Sequence, residues 1–415
     1  MHDSRRAEGR TLMWQPTERS DAAQQIYAAA EQDRAQRPDR YHLDPESVLD
    51  RATKDFASSE FSPNWRSGLE SFLASAEHDG RLNAVGVRMA QQMATGRLIA
   101  GAEVTRYLKE HPEVADIPLA PPIVIVGGWR TGTTFLFRLL AGDPRLHAPL
   151  PAELVAPWLF AGNRAGVDQL TAPASQLLHT LNPDMAVIHP SGPTLPEECV
   201  LGMGTDLRNW GFTSMLRIPT YADWLAAQDF AATYGDYRTA LQMLTTEDPR
   251  RFVLKAPAHT AELDHLVATF PGAVVVQIHR DIVPTLTSGA SLFAVYRSTY
   301  SDAVDPAEVG REQVRQSELW FRRAAEFRAS PASAAARFVD VDYDAFVAQP
   351  ADTLAAVYRA AGMEPPGDPE EFVAAYERAH PRNAHGQHRY TPEEFGIDPG
   401  ELRERFSFLE RAQTA

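Results

Sequence analysis

The stretch Pro121 to Leu140, PPIVIVGGWRTGTTFLFRLL, restricts the fold more than any other part of the chain. Ile123 to Val126 is an unbroken β-branched run between two prolines and Gly127-Gly128. Such a run suits a strand covered on both faces of a parallel sheet. Gly127, Gly128, Trp129, Arg130, Thr131, Gly132, Thr133 and Thr134 follow, and FLFRLLAG has helical spacing with a stop at Gly142. Strand, glycine-rich turn and helix together make an anion cradle, because the backbone can approach closely and the first helical N–H groups point at the ligand.

The cradle departs from the G-x-x-x-x-G-K-[ST] pattern of nucleotide triphosphatases. Gly127, Gly132 and Thr134 fit, but Thr133 stands where that pattern needs lysine on the terminal phosphates. The cation sits earlier, at Arg130, and two hydroxyls close the loop. The turn suits a compact anion and is poorly built for a magnesium triphosphate. An NTP-dependent small-molecule kinase on this fold would require the missing lysine.

A chain of 415 residues with 44% hydrophobic and 23% charged content can bury a large core. Its net charge of −15 argues against nucleic-acid and anionic-membrane partners, so an anionic cofactor needs a local basic pocket. Cys199 is the only cysteine, which excludes disulfide frameworks and cysteine metal sites. No stretch has spanning length and the N-terminus has no apolar leader, so a cytoplasmic enzyme is expected.

In chain order, residues 1–20 are polar and expected to be flexible. Residues 21–117 have helical periodicity and read as a helical subdomain. An α/β core is expected over 118–365, with a proline-rich, loop-rich acceptor region at 143–250. Strands are predicted at Phe252–Leu254, Ala273–Ile278 and from about Arg337, each followed by a helix. The alternation implies a parallel sheet with helices on both faces. Residues 366–415 are expected to be a helical, nucleotide-covering C-terminal segment. Arg130, Lys255 and Arg280 each lie just past a strand, where ligands of such sheets bind, so the three can converge.

Four stretches together resemble sulfotransferases that use 3′-phosphoadenosine 5′-phosphosulfate, of the bacterial branch with arginine in the cradle. WRTGTT is similar to that family's 5′-phosphosulfate loop, usually written R-S-G-T-T or K-S-G-T-T. HRDIVPTLTSGASL resembles its 3′-phosphate signature, an arginine after a strand and a serine eight residues later, here Arg280 and Ser288. LKAPAHTAELDHLVATFPGAVVVQIHRD resembles the segment leading into that signature. HGQHRYTPEEFGID resembles the closing segment that covers the nucleotide, with Gly386, Arg389 and Tyr390 as a clamp. HRD also occurs in protein kinases, but Leu286 stands where their asparagine is required.

The resemblance implies sulfuryl transfer to a hydroxyl or amine, leaving adenosine 3′,5′-bisphosphate; in-line displacement requires no metal, and the apolar, proline-rich middle of the chain points to an apolar small-molecule acceptor. It places Trp129 to Thr134 on the phosphosulfate, Arg280 and Ser288 on the 3′-phosphate, and Lys255 as the catalytic cation. The base stays open between Glu153, flanked by Leu150, Leu154 and Trp158, and His259, four residues beyond Lys255. His189, Glu197 and Glu198 form a third cluster on the acceptor side. A non-catalytic nucleotide-binding module is the remaining alternative.

Overall fold

The computed structural model describes residues 13–161, 166–246, 248–380 and 390–409. Four helices come first: α1 (Asp21–Gln36), α2 (Pro45–Ala52), α3 (Trp65–Asp79) and α4 (Ala84–Glu110). Ser20, Asp44 and Asn83 start three of them by accepting from the amides of Ala23, Ser47 and Gly86, which satisfies donors the first turn leaves free. Residues 13–20, expected to be loose, are tied down: Trp14 is buried near Phe395, and Arg19 pairs with Asp302.

The sheet begins with β1 (Ile123–Gly127), followed by α5 (Thr133–Ala141), the two-residue β2 (Leu146–His147), and the short helices α6 (Pro151–Val155) and α7 (Pro157–Phe160). Next come α8 (Val167–Leu181), α9 (Asp184–Ile188), α10 (Phe212–Met215), α11 (Pro219–Ala226) and α12 (Ala231–Thr245). Then follow β3 (Arg251–Lys255), α13 (Leu263–Thr269), β4 (Val274–His279), α14 (Ile282–Tyr300), α15 (Pro306–Ala329) and β5 (Arg337–Asp342). The chain closes with α16 (Tyr343–Ala348), α17 (Pro350–Ala361), α18 (Pro369–Ala379) and α19 (Pro399–Arg405). The stretch 143–250, expected to be loop-rich, is largely helical. Its prolines Pro151, Pro157 and Pro219 sit in the first turns of helices, where the missing N–H costs nothing.

All five strands are parallel, in the order β2-β3-β1-β4-β5, so β1 lies between β3 and β4. Alternate side chains enter different cores, as a period of two requires. Val124, Val126, Leu254 and Val275 join the core shared with α3, α4 and α14. Ile123, Ile125, Val253, Val274 and Val276 pack against α5 and α17. Each fully buried aliphatic contributes roughly 1.5–3 kcal/mol. The sheet is therefore a rigid base, and the carboxyl ends of β3, β1 and β4 stand side by side.

Candidate active site

The turn after β1 is held in an unusual shape. Gly132, the residue before α5, has φ of +82°, a left-handed conformation that favours glycine. Arg130 has φ of +58° although it carries a side chain. Such a residue persists only where its surroundings fix it. Here Arg130 Nη1 donates to the Ile188 carbonyl (3.0 Å), and Arg280 Nη1 donates to the Arg130 carbonyl (2.6 Å). Gly128 gives close approach to α14: a Cβ there would stand 2.4 Å from Thr285 Cγ2. Ser288, buried, lies one turn further along the same face of α14.

The loop's other side chains divide their tasks. Thr131 Oγ1 donates back to the Gly128 carbonyl (2.8 Å) and closes the turn. Trp129 is buried between Trp320 and Phe293, with ring centroids at 5.1 and 5.3 Å, so its indole anchors the loop in the core. Thr133 and Thr134 open α5 and bring hydroxyls to its positive end.

Lys255 ends β3 on one side of the cradle and Arg280 follows β4 on the other. Lys255 is 2% exposed, and its Nζ donates to Glu198 Oε1 at 2.5 Å and to Thr134 Oγ1 at 3.4 Å. A buried ammonium needs such partners. Glu198 is the more open member, with 23% of its side chain exposed. Arg280 lies over the Tyr343 ring, 4.2 Å from its centroid. A guanidinium placed on an aromatic face keeps its donor edge for an anion.

His189 and Glu197 join the same region. His189 Nε2 stands 3.4 Å from Glu197 Oε1, which also accepts from the Glu198 amide (2.8 Å). Burial pushes the Glu197 carboxyl up, but His189, Lys255 and that amide outweigh it and hold it at about 2. Arg138 donates to the Pro190 carbonyl (2.6 Å), so Arg130 and Arg138 pin the chain on both sides of His189. Burial pushes the neighbouring Cys199 thiol up to about 12, which makes it inert as a nucleophile.

Residues 121–367 match the profile of the sulfotransferase family (Sulfotransfer_3). The chain belongs to that family. It is similar to the omega-hydroxy-beta-dihydromenaquinone-9 sulfotransferases Stf3 of Mycobacterium bovis and Mycobacterium tuberculosis, 27% identical over 274 residues. That similarity covers 60% of this chain, and the chain spans 65% of the length of those relatives. Among solved structures, sulfotransferase STF1 from Mycobacterium tuberculosis superposes with a TM-score of 0.75 at 27% identity, over 89% of this chain and 100% of that one. STF9 from Mycobacterium avium shares the fold with a TM-score of 0.75 at 24% identity, over 88% and 96%.

The two side chains expected to compete as base have their own partners in this chain. Glu153, in α6, is buried; its Oε2 accepts from the Leu150 amide (2.8 Å) and lies 3.1 Å from His147 Nε2. It caps its own helix at the β2 edge of the sheet. His259 is fully buried, shares a 2.7 Å hydrogen bond with the Tyr234 hydroxyl through Nδ1, and lines a small cavity with Trp210 and Phe230. Burial drives its pKa down to about 3, so the ring stays neutral. The carboxylate on Lys255 is Glu198.

Gly386 and Arg389 lie outside the described residues. Tyr390 is half-buried against the main core. Arg403 of α19 reaches Asp281 (3.4 Å), beside Arg280. Sequence reasoning missed Tyr343 beneath Arg280 and Thr260, whose Oγ1 accepts from the Gly127 amide at 3.3 Å. Tyr343 stands directly past β5, the same strand-end signal that singled out the three cations. Thr260 is on a turn whose direction no periodicity fixes.

Proposed function

We propose that this sulfotransferase moves a sulfuryl group from 3′-phosphoadenosine 5′-phosphosulfate to the hydroxyl of an apolar small molecule, as a cytoplasmic enzyme. The observation that carries the reading is the Arg280–Arg130 hydrogen bond, which places two strand-end cations on one cradle with Lys255 on its other flank. The donor has two separated anionic ends, and the chemistry of this donor set fits both. The amides opening α5, Thr133, Thr134 and Arg130 suit the 5′-phosphosulfate. Arg280 and Ser288 suit the ribose 3′-phosphate. The Thr133 hydroxyl in place of a cradle lysine fits a diphosphate-length group better than a triphosphate.

In this reading the acceptor oxygen attacks sulfur in line with the bridging oxygen. The new O–S bond forms as the S–O bond to the 5′-phosphate breaks, and the leaving bisphosphate keeps that electron pair. Lys255 neutralises charge growing on the bridging oxygen, helped by Arg130. Glu198 takes the acceptor proton. It touches Lys255 and is open to solvent, whereas Glu153 is engaged in a helix cap and His259 is closed off with Tyr234. His189 holds Glu197 as a charged wall on the acceptor side. The relatives named for a hydroxylated menaquinone support an apolar alcohol as acceptor. Radiolabelled sulfate from the phosphosulfate nucleotide, supplied with amphiphilic alcohols, tests the proposal directly. Label in the alcohol supports it, and none transferred from the bound nucleotide to any acceptor class overturns it.

A further inference from the structure

The face that α8 turns to solvent is apolar. Leu170 and Leu177 are 43% and 46% exposed, and Pro173 and Ala174 between them are exposed as well. These four occupy positions i, i+3, i+4 and i+7, one stripe of a helix. Thr171 and Leu178, beside the stripe, are turned inward, Thr171 buried and Leu178 packed on the main core, and the stripe's continuation at Leu181 is covered by Ala23 and Tyr27 of α1. Helices of globular proteins turn such a stripe inward, so an outward one marks an interaction surface.

The position of α8 links the stripe to the acceptor side. The helix runs through Asn182 into α9, whose last carbonyl, Ile188, is held by Arg130. His179 in the last turn of α8 lies 3.4 Å from Ser191, two residues beyond His189. Whatever seats on α8 is therefore close in the chain to His189 and Glu197, the acceptor side of the proposed site.

We propose that the stripe docks on the uncharged surface of a lipid bilayer, from which an amphiphilic alcohol passes to Lys255 and Glu198. The inference rests on the apolar-acceptor reading above. Gln169 and Gln176 flank the stripe and its four members carry no charge, in a chain of net charge −15. Among the described residues of the stripe and its two glutamines, a nucleic acid or an anionic surface finds no cation. Two leucines, a proline and an alanine fall far short of the roughly 800 Å² per partner that a stable dimer buries. Shallow, reversible seating in an interface needs no such area.

The test is flotation of the full chain with phosphatidylcholine vesicles, compared with the double variant Leu170→Glu/Leu177→Glu. The wild-type chain is expected to float, and the double variant's bound fraction to fall about tenfold. Because both side chains face solvent, its melting temperature should stay within about 2 °C. A wild-type chain that remains free at millimolar lipid, or a double variant that floats equally well, overturns the proposal. So does a wild-type dimer in light scattering that the double variant converts to a monomer, since the stripe would then join two copies. Binding of adenosine 3′,5′-bisphosphate, measured on the same samples, separates the two ideas. Binding without flotation removes the docking alone, and flotation without binding removes the donor assignment.

Discussion

Arg280 donates from Nη1 to the main-chain carbonyl of Arg130 across 2.6 Å, so the end of β4 and the turn after β1 are fixed together before any ligand arrives. The same contact steadies Arg130 in its left-handed conformation and leaves the rest of the Arg280 guanidinium over Tyr343. The end of β4 and the turn after β1 thus meet at one point, with both arginines beside it.

Arg280→Ala should separate the two ends of the nucleotide. A hydrogen bond to a charged group contributes about 1.5–3 kcal/mol, so adenosine 3′,5′-bisphosphate should bind roughly 10- to 150-fold more weakly. Adenosine 5′-phosphosulfate, with no 3′-phosphate, should lose only the few-fold effect of a less steady Arg130. Calorimetric titration of both ligands checks this. Equal losses would take the 3′-phosphate away from Arg280.

Lys255→Ala should lower turnover about 10²- to 10³-fold, the scale of removing one group that stabilises charge in the transition state. Affinity for the bisphosphate product should change little, because Thr134 and the cradle amides stay in place. Single-turnover rates and product binding, measured together, give the answer. Parallel losses in both would make Lys255 a binding residue.

Three substitutions decide the base. Glu198→Gln should cost about 10²-fold or more in turnover and leave the fold intact. Glu153→Gln should instead act on stability, by about 1–2 kcal/mol, because it weakens the cap of α6 and the contact with His147. His259→Gln should leave turnover within a few-fold. Full activity in Glu198→Gln would return the proton to one of the other two.

The buried His259 and the half-buried Glu197 predict how stability responds to acid. The folded state holds His259 at about 3 against an ordinary 6.5, so the unfolded chain takes up the proton first as pH falls. Its contribution is complete above pH 6.5 and declines towards pH 3, by up to about 1.4 kcal/mol per pH unit. Glu197, at about 2 against an ordinary 4.5, adds a second loss between those values. Urea unfolding at pH 6.5 and pH 5 should reveal a decline that His259→Gln reduces by about 2 kcal/mol. An identical pH response in that variant would place the acid sensitivity elsewhere.

Where local chemistry dictates structure, the sequence was legible. The β-branched run at Ile123 and the strands ending at Lys255 and His279 placed the sheet, and the strand ends placed all three cations. Between Asp143 and Arg250 the sequence is ambiguous, because proline marks both loops and helix starts, and the region holds both. Pro151, Pro157 and Pro219 are helix starts, which only the packing of α6, α7 and α11 reveals. Trp129 stands in the cradle loop and its ring stacks on Trp320, nearly two hundred residues away, a contact no local pattern encodes. The same holds for Lys255 and Glu198, which 57 positions of chain separate.

On the proposed reading the cradle and the end of β4 hold one nucleotide by its two anionic ends. Calorimetric titration of adenosine 3′,5′-bisphosphate against adenosine 5′-diphosphate and ATP tests this without knowledge of the acceptor. The 3′-phosphorylated ligand should bind at least about tenfold more tightly than either, the share expected from one charge-assisted contact at Arg280. Equal affinity for all three, or a preference for ATP, would contradict the account.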